Sequence, residues 1–255
     1  MTTFREKIRK AREITQRPEV LSHREPPYAT FMRRFSIYVS YLFWKLGMTA
    51  NQVTILMIIC SLTGSLSYVL RNIYVNIIGI VLFQLSYFLD HVDGEVARLR
   101  KQSSLFGVYL DQVSHIVIEP LFCAIIGIRL YLLQPCTANL LIALLLYSGW
   151  HWQREIVRVR VTTLLAKAKI PIEQIKHPPP SKQSRTLVKT IKHCVACFVD
   201  EIHAKTIAGV ALLFSYWHPD ILKYFCLVHA VLIILFCLRQ MRIDIRELPQ
   251  YEVVT

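Results

Sequence analysis

The hydrophobic positions of the chain are gathered into six apolar runs, which polar stretches separate. The runs cover residues 53–70, 74–90, 107–133, 139–157, 206–217 and 221–238. Most of them approach the roughly 17 to 25 residues that a helix needs to span a bilayer. The run at 206–217 is the shortest, and a re-entrant or interfacial segment is the alternative for it. The pattern predicts an all-α integral membrane protein with six transmembrane helices.

An amphipathic segment precedes the first apolar run. From residue 28 onwards, apolar residues recur every three or four positions with basic residues between them; they are Phe31, Phe35, Tyr38 and Leu42. Such a basic and aromatic helix is typical of the membrane interface, and packing against the protein itself is the alternative. Before it, residues 3–17 place acids and bases four positions apart, which predicts a solvated surface helix.

The polar stretches divide the chain into three parts. Residues 1–52 form the predicted cytoplasmic arm and interfacial helix, residues 53–238 the six-span domain, and residues 239–255 a cytoplasmic tail. The domain includes a polar and basic cytoplasmic loop at about 158–204. Within this loop, the apolar periodicity of residues 187–202 predicts a second interfacial helix.

Composition supports a membrane protein, and the charge distribution orients it. The 255 residues are 54% hydrophobic with a mean hydropathy of +0.39, which is too apolar for an ordinary soluble domain. With a cytoplasmic amino terminus, six spans leave only Arg71, Arg129 and Lys223 of the 30 basic residues on the far side. This asymmetry follows the positive-inside rule and places both termini in the cytoplasm. The net charge of +13 therefore indicates anionic lipid headgroups and phosphate substrates as partners, and no nucleic acid.

Acidic residues stand where two apolar runs meet water at the predicted cytoplasmic face. Asp90 and Asp93 end the second run, whereas Gly107, Asp111 and His115 recur every four residues in the third. Each set therefore shares one helical face. Clustered carboxylates repel one another unless divalent cations neutralise them, and their hard oxygen atoms suit Mg²⁺ or Mn²⁺. Helix capping explains each acid singly, but the joint spacing favours a metal site.

The same residues fill a family signature. The signature reads D-x2-D-G-x2-A-R-x8-G-x3-D-x3-D. Seven residues of this chain match it with the same spacing: Asp90, Asp93, Gly94, Ala97, Arg98, Gly107 and Asp111. Only the last position differs, because His115 replaces an aspartate. Upstream, residues 48–54 (M-T-A-N-Q-V-T) are similar to the family's L-T-P-N-x-x-T. Over roughly residues 30–238, the chain resembles the CDP-alcohol phosphotransferases, also termed CDP-alcohol phosphatidyltransferases.

This resemblance implies an enzyme of phospholipid or related phosphodiester synthesis. Such enzymes transfer a phosphoalcohol group from a CDP-alcohol, such as CDP-diacylglycerol, to a small alcohol or polyol phosphate, and they release CMP. Two Mg²⁺ or Mn²⁺ ions would clamp the diphosphate and align the attacking hydroxyl. The resemblance also implies a homodimer among membrane lipids, with its active site at the cytoplasmic face.

The signature further implies a role for each site residue. The candidate metal ligands are Asp90, Asp93, Asp111 and His115, and the candidate nucleotide contacts are Asn51, Gly94, Ala97, Arg98 and Gly107. Asn51 equally suits helix capping, as does the weaker candidate Thr54, and Arg98 equally suits positive-inside anchoring. Relatives with phosphorylated acceptors carry similar basic residues at positions that match Arg154, Arg158, Arg160 and Lys205. Anchoring at the membrane interface is the alternative for these four.

His115 leaves three interpretations open. Imidazole accepts protons near neutral pH but is a poor ligand for Mg²⁺. The residue is therefore a working catalytic base, a ligand that favours Mn²⁺, or the mark of a decayed scaffold that binds nucleotide or lipid without turnover. Glu119, one turn further along the same face, is a candidate to restore the missing carboxylate. A transporter is a further class, which acids at a helix end rather than at mid-membrane disfavour.

Overall fold

The computed structural model describes residues 3–16, 27–102, 104–166 and 201–247. Within these ranges the chain forms eight α-helices and no strand. The helices are α1 (Phe4–Thr15), α2 (Pro27–Lys45), α3 (Ala50–Ser67), α4 (Ile73–Arg100), α5 (Leu105–Leu133), α6 (Thr137–Ala166), α7 (Glu201–Phe214) and α8 (Asp220–Glu247). The prediction of an all-α protein is therefore confirmed.

Four of these helices are long and apolar enough to cross a membrane. They are α3, α4, α5 and, over Asp220–Arg246, α8. Helices α6 and α7 coincide with predicted spans, but within the described residues neither is long and apolar enough to be counted as a span. The second half of α6 is polar, and the apolar part of α7 covers only Lys205–Phe214. The chain thus has the helices of a multi-pass membrane protein, and the count of six spans stays a prediction.

The helices form two compact units, residues 1–121 and 122–255. In the first unit, α3 and α4 form a hairpin whose backbones approach closely at two glycines. A Cβ atom on Gly79 would lie 3.0 Å from the carbonyl oxygen of Gly64. In the same hairpin, the hydroxyls of Ser61 and Ser86 are hydrogen-bonded. Small residues are typical of helix contacts in membranes because they permit this approach.

Helix α1 differs from the expected solvated helix, because one of its faces is buried. Ile8 and Ala11 form a small apolar cluster with Ile37 and Tyr41 of α2. Only the remaining positions of α1 carry the exposed acids and bases that the sequence pattern emphasised. On α2, the predicted apolar face stays exposed at Phe31, Phe35, Tyr38 and Leu42. The interfacial location of α2 is still a prediction.

A buried glutamate of α4 connects this helix to α2 and to the residue that follows α1. Glu95 is fully buried, and its carboxylate accepts hydrogen bonds from Gln16 Nε2 (2.7 Å), Ser36 Oγ (2.8 Å) and Ser40 Oγ (2.7 Å). The Arg33 guanidinium lies 4.0 Å from the same carboxylate. Because a buried charge is tolerated only when it is paired and hydrogen-bonded, these donors explain how the acid is accommodated.

In the second unit, α8 packs against α6 and α7. The buried side chains include Trp150 of α6, Leu212 of α7 and Ile233 of α8. Helix α6 continues to Ala166, past the predicted start of the loop, and α8 continues into the predicted tail. The Arg160–Asp244 ion pair joins these two polar extensions. Residues 167–200 of the predicted loop, with most of the second interfacial helix, lie outside the described residues.

The close approach of α3 and α4 gives a stability prediction. Gly79→Ala is expected to lower the free energy of unfolding by about 1 to 3 kcal/mol, because the new methyl group overpacks the hairpin. It would overlap Ser67 Oγ and lie 3.0 Å from the backbone oxygen of Gly64. Thermal unfolding of the detergent-solubilised protein measures the effect. The matched control is Gly94→Ala, whose methyl group would have the Arg98 guanidinium as its nearest neighbour, at 3.3 Å. Equal destabilisation by both variants contradicts the prediction.

Candidate active site

The start of α3 is fixed by a capping box. Thr49 Oγ1 accepts a hydrogen bond from Gln52 N (3.3 Å), and Gln52 Oε1 accepts one from Thr49 N (2.8 Å). This reciprocal pairing satisfies two backbone donors that a helix start leaves free. One turn later, Thr54 Oγ1 donates to Asp93 Oδ2 at 2.7 Å. The cap therefore sets the position at which α3 presents Thr54 to the acidic end of α4.

A tight reversal connects α4 to α5. Lys101 adopts a left-handed conformation (φ 52°), and Gln102 N donates to the Ala97 carbonyl at 3.0 Å. At the start of α5, Gly107 N donates to Ser104 Oγ at 3.0 Å. The left-handed residue ends α4 in the manner usual for helix termini, although glycine is the more common choice there. The reversal lets α5 return past the residues that close α4.

Asp90, Asp111 and His115 form a cluster whose potential ligand atoms all lie within 4.8 Å of one another. His115 Nε2 is 3.5 Å from Asp90 Oδ1 and 3.6 Å from Asp111 Oδ1. Two ligands bound to one divalent cation at about 2.1 Å lie at most about 4.2 Å apart, so both distances leave room for an ion between the atoms. The three residues are about one third exposed, which leaves them accessible to a substrate. The cluster therefore fits a divalent cation.

Asp93, the fourth predicted ligand, lies outside this three-residue cluster. It is buried, its carboxylate accepts the Thr54 hydrogen bond, and it lines the same cavity as Asp111. The hydrogen bond holds the carboxylate in one orientation without neutralising it. Asp93 therefore lies beside the three-residue cluster, in the wall of the cavity that Asp111 also lines. Its role as a ligand stays a prediction.

A cavity of about 180 Å³ opens beside these acids. Its walls include the predicted nucleotide residues Asn51, Gly94, Ala97 and Gly107. A second cavity of about 420 Å³ is bounded by Thr49, Ala50, Asn51, Gln102 and Ser104. Arg98, the remaining predicted nucleotide contact, is not among the lining residues, but its guanidinium lies near Gly94. The small residues of the signature thus border open space next to the carboxylates.

Glu119 lies on the opposite side of the His115 ring from the cluster. Its Oε1 atom is 3.4 Å from His115 Nδ1, and its side chain is only 2% exposed. It is therefore not the carboxylate that completes the cluster, because that group would have to face Nε2. His91, the other histidine of the signature segment, packs its ring against Tyr87 with centroids 4.7 Å apart and is likewise outside the cluster.

The candidate acceptor residues belong to the second unit. Arg160 is paired with Asp244, which also accepts a hydrogen bond from Gln240 Nε2 at 2.9 Å. Arg158 Nη1 lies 3.6 Å from Glu155 Oε1, and both side chains are exposed. Glu155, Arg160 and Asp244 border an apolar cleft of about 620 Å³ between α6 and α8. Arg154 and Lys205 are the remaining two candidates, and their role in acceptor binding stays a prediction.

Three residues at the site had a minor predicted role or none. Thr54 ranked below Asn51, yet it contacts Asp93 directly. Gln102 and Ser104 of the α4–α5 turn line both cavities and had no assigned role. A serine three positions before Gly107 is a capping pattern, so this signal was present in the sequence.

The comparison with known families agrees with the signature. The sequence profile described as CDP-alcohol phosphatidyltransferase matches residues 47–238, which is most of the chain. The chain therefore belongs to the CDP-alcohol phosphatidyltransferase family, whose members are transferases that typically depend on divalent metal ions. They move a phosphoalcohol group from a CDP-alcohol donor to an alcohol acceptor. Among curated proteins, none matches the chain.

Proposed function

We propose that the chain is an active, metal-dependent transferase of phospholipid or related phosphodiester synthesis. It would pass a phosphoalcohol group from a CDP-alcohol, such as CDP-diacylglycerol, to a small alcohol or polyol phosphate. The observation that carries the proposal is the convergence of Asp90, Asp111 and His115 within 4.8 Å of one another, with Asp111 also lining a cavity between small residues.

The residues divide the chemistry between them. Bound Mg²⁺ or Mn²⁺, two ions in this proposal, would neutralise the diphosphate and the charge that grows on the leaving CMP. Asp90 and Asp111 would hold one ion, and Asp93, whose carboxylate accepts a hydrogen bond from Thr54, would help to hold the other. The acceptor hydroxyl forms the new P–O bond as the bond to CMP breaks. His115 Nε2 would take the hydroxyl proton, because imidazole accepts protons near neutral pH.

The nucleotide would occupy the cavity beside the acids. Asn51, Gly94, Ala97 and Gly107 line this space, and Arg98 would face the phosphates from the Gly94 side. The absence of bulky side chains lets the ligand approach the backbone, as glycine does at other phosphate sites. The assignment rests on the family signature together with this lining.

Acceptor recognition is proposed for Arg154, Arg158, Arg160 and Lys205. Because Arg158 and Arg160 already face acids, a phosphorylated acceptor would exchange a carboxylate for a phosphate at these side chains. We further propose a homodimer with both termini cytoplasmic and the active site at the cytoplasmic face. The support for this orientation is the positive-inside charge distribution.

Release of CMP by the purified full-length protein tests the proposed function. The assay supplies CDP-diacylglycerol or a shorter CDP-alcohol, a mixture of small alcohols and polyol phosphates, and either Mg²⁺ or Mn²⁺. We expect CMP in proportion to product and its loss on addition of EDTA. Nucleotide binding without CMP under any metal and acceptor would instead identify a decayed scaffold.

A substitution at Gly107 tests the nucleotide position. Its Cβ would lie 3.0 Å from Asn51 Oδ1, so the side chain of Gly107→Leu must project into the cavity. We expect the Kd for CMP to rise at least about tenfold, which corresponds to about 1.4 kcal/mol. Calorimetric titration measures it, with Mn²⁺ affinity of the same variant as the internal control. Unchanged CMP affinity would place the nucleotide elsewhere.

A further inference from the structure

We propose that Glu119 is a positioning residue that fixes the tautomer of His115, so that Nε2 presents a lone pair to the cluster of Asp90 and Asp111. The inference rests on the proposed function and deepens it. It concerns only this chain's departure from the family signature, where a histidine replaces the last aspartate. Glu119 acts through His115 and contacts neither the substrate nor a metal ion.

The geometry of the imidazole carries the first step. Its two nitrogen atoms face different carboxylates: Nε2 faces Asp90 and Asp111, and Nδ1 faces Glu119 at 3.4 Å. A neutral imidazole has one N–H group, and the group that this N–H meets decides which nitrogen stays free. A distance of 3.4 Å is slightly long for a hydrogen bond, and such contacts commonly shorten once substrate is bound.

Charge decides which nitrogen keeps the proton. A cation held by Asp90 and Asp111 repels an N–H directed at it and favours a lone pair on Nε2. The proton then belongs on Nδ1, where the Glu119 carboxylate accepts it. Carboxylates behind histidines play the same part in metal sites and in catalytic triads. The resulting lone pair on Nε2 suits either role open to His115, to accept a proton or to ligate a cation, although one lone pair serves only one of them at a time.

Burial explains why Glu119 suits this task. Its side chain is 2% exposed, whereas Asp90 and Asp111 are 30% and 36% exposed. An acid removed from water needs donors from the protein, and in this proposal the Nδ1–H group of His115, 3.4 Å from Oε1, would be one of them. The four-residue spacing of Asp111, His115 and Glu119 on α5 stacks all three side chains on one face, which keeps the ring between the two carboxylates.

Because His115 replaces the aspartate of the signature, the proposal can be tested by asking whether the effect of changing Glu119 depends on the residue at position 115. An aspartate at position 115, as in the signature, has no N–H group to donate, and it would repel Glu119 instead. Glu119 should therefore support activity only when residue 115 is a histidine. A merely structural glutamate would matter equally in both backgrounds, so a double-mutant cycle separates the two roles.

The experiment uses the full-length protein with Glu119→Met, Glu119→Gln, His115→Asp and the His115→Asp/Glu119→Met double variant. We expect Glu119→Met to lower kcat for CMP release by about 10- to 100-fold, the range seen for residues that orient a ligand or base, with KM for the CDP-alcohol unchanged. Glu119→Gln should recover most of the activity, because its amide oxygen still accepts from Nδ1–H. In the His115→Asp background, Glu119→Met should cause no further loss.

Equal losses in both backgrounds, or a Glu119→Gln variant as impaired as Glu119→Met, would overturn the proposal. Mn²⁺ affinity, measured by electron paramagnetic resonance, is read in the same variants. If the wild-type protein releases no CMP, the proposed function fails on its own, and the Mn²⁺ measurement still decides this inference. With histidine at position 115, Glu119→Met should then weaken Mn²⁺ binding. In the His115→Asp background, the same substitution should leave Mn²⁺ binding unchanged. Equal Mn²⁺ affinity in all variants would refute the positioning role of Glu119.

Discussion

Asp93→Asn is expected to reduce CMP release by about a thousandfold, which corresponds to about 4 kcal/mol of lost transition-state stabilisation. The substitution removes one negative charge from the proposed metal and diphosphate site and changes almost nothing else. The asparagine oxygen can still accept the hydrogen bond that Thr54 Oγ1 donates at 2.7 Å. The local contacts between α3 and α4 are therefore preserved, and the loss reports on chemistry rather than on folding.

Initial rates of CMP release at saturating Mn²⁺ measure this effect, and thermal unfolding verifies that the variant is folded. The matched control is Asp220→Asn at the start of α8, an exposed aspartate that accepts a hydrogen bond from Gln134 and lies outside the proposed site. It should leave the rate unchanged. A folded Asp93→Asn variant with nearly normal rates would show that this carboxylate has no part in the reaction.

Glu95→Leu is expected to lower the free energy of unfolding by about 3 to 5 kcal/mol, the usual cost of removing one partner from a buried charged network. Leucine fills a similar volume but leaves the Ser36 and Ser40 hydroxyls and the Gln16 amide without their acceptor. For domains near this size, each kcal/mol shifts the melting temperature by about 2 to 4 °C, so we expect a shift of about 10 °C.

Thermal unfolding in detergent, followed by tryptophan fluorescence, measures the shift. Glu13→Leu is the control, because Glu13 is 67% exposed and its ion pair with Arg9 lies on the surface of α1. Surface pairs of this kind contribute about 0 to 1 kcal/mol, so this variant should melt close to the wild type. Similar shifts for the two variants would mean that the buried carboxylate does not stabilise the first unit.

The features that the sequence predicted well depend on short-range patterns. Long apolar runs specify helices almost irrespective of their surroundings, so the all-α fold followed from hydropathy. The four-residue spacing of Asp111 and His115 fixes their shared face, and the structure brings both to Asp90. Gly94, Ala97 and Gly107 of the family signature line the cavity, and their contact with a nucleotide stays a prediction.

The features that were missed depend on which helices meet. Helix α1 has the charge pattern of a solvated helix, and its buried stripe is too short to stand out until α2 supplies Ile37 and Tyr41. The partner of Asp93 was undervalued because Thr54 is 39 positions away and also donates to its own helix backbone. For Glu119, spacing gave the correct face of α5 but could not say which ring nitrogen of His115 it faces.

The contact of Gly64 with Gly79 constrains how the site can move. With backbone against backbone at one level and hydroxyl against hydroxyl at another, α3 and α4 cannot slide or roll past each other without steric overlap. Thr54 and Asp93 lie on the same two helices, so this packing and the 2.7 Å hydrogen bond between them hold the two side chains together. The opposite wall of the cavity is formed by the turn before α5 and by the start of α5, which contributes Gly107, Val108 and Asp111.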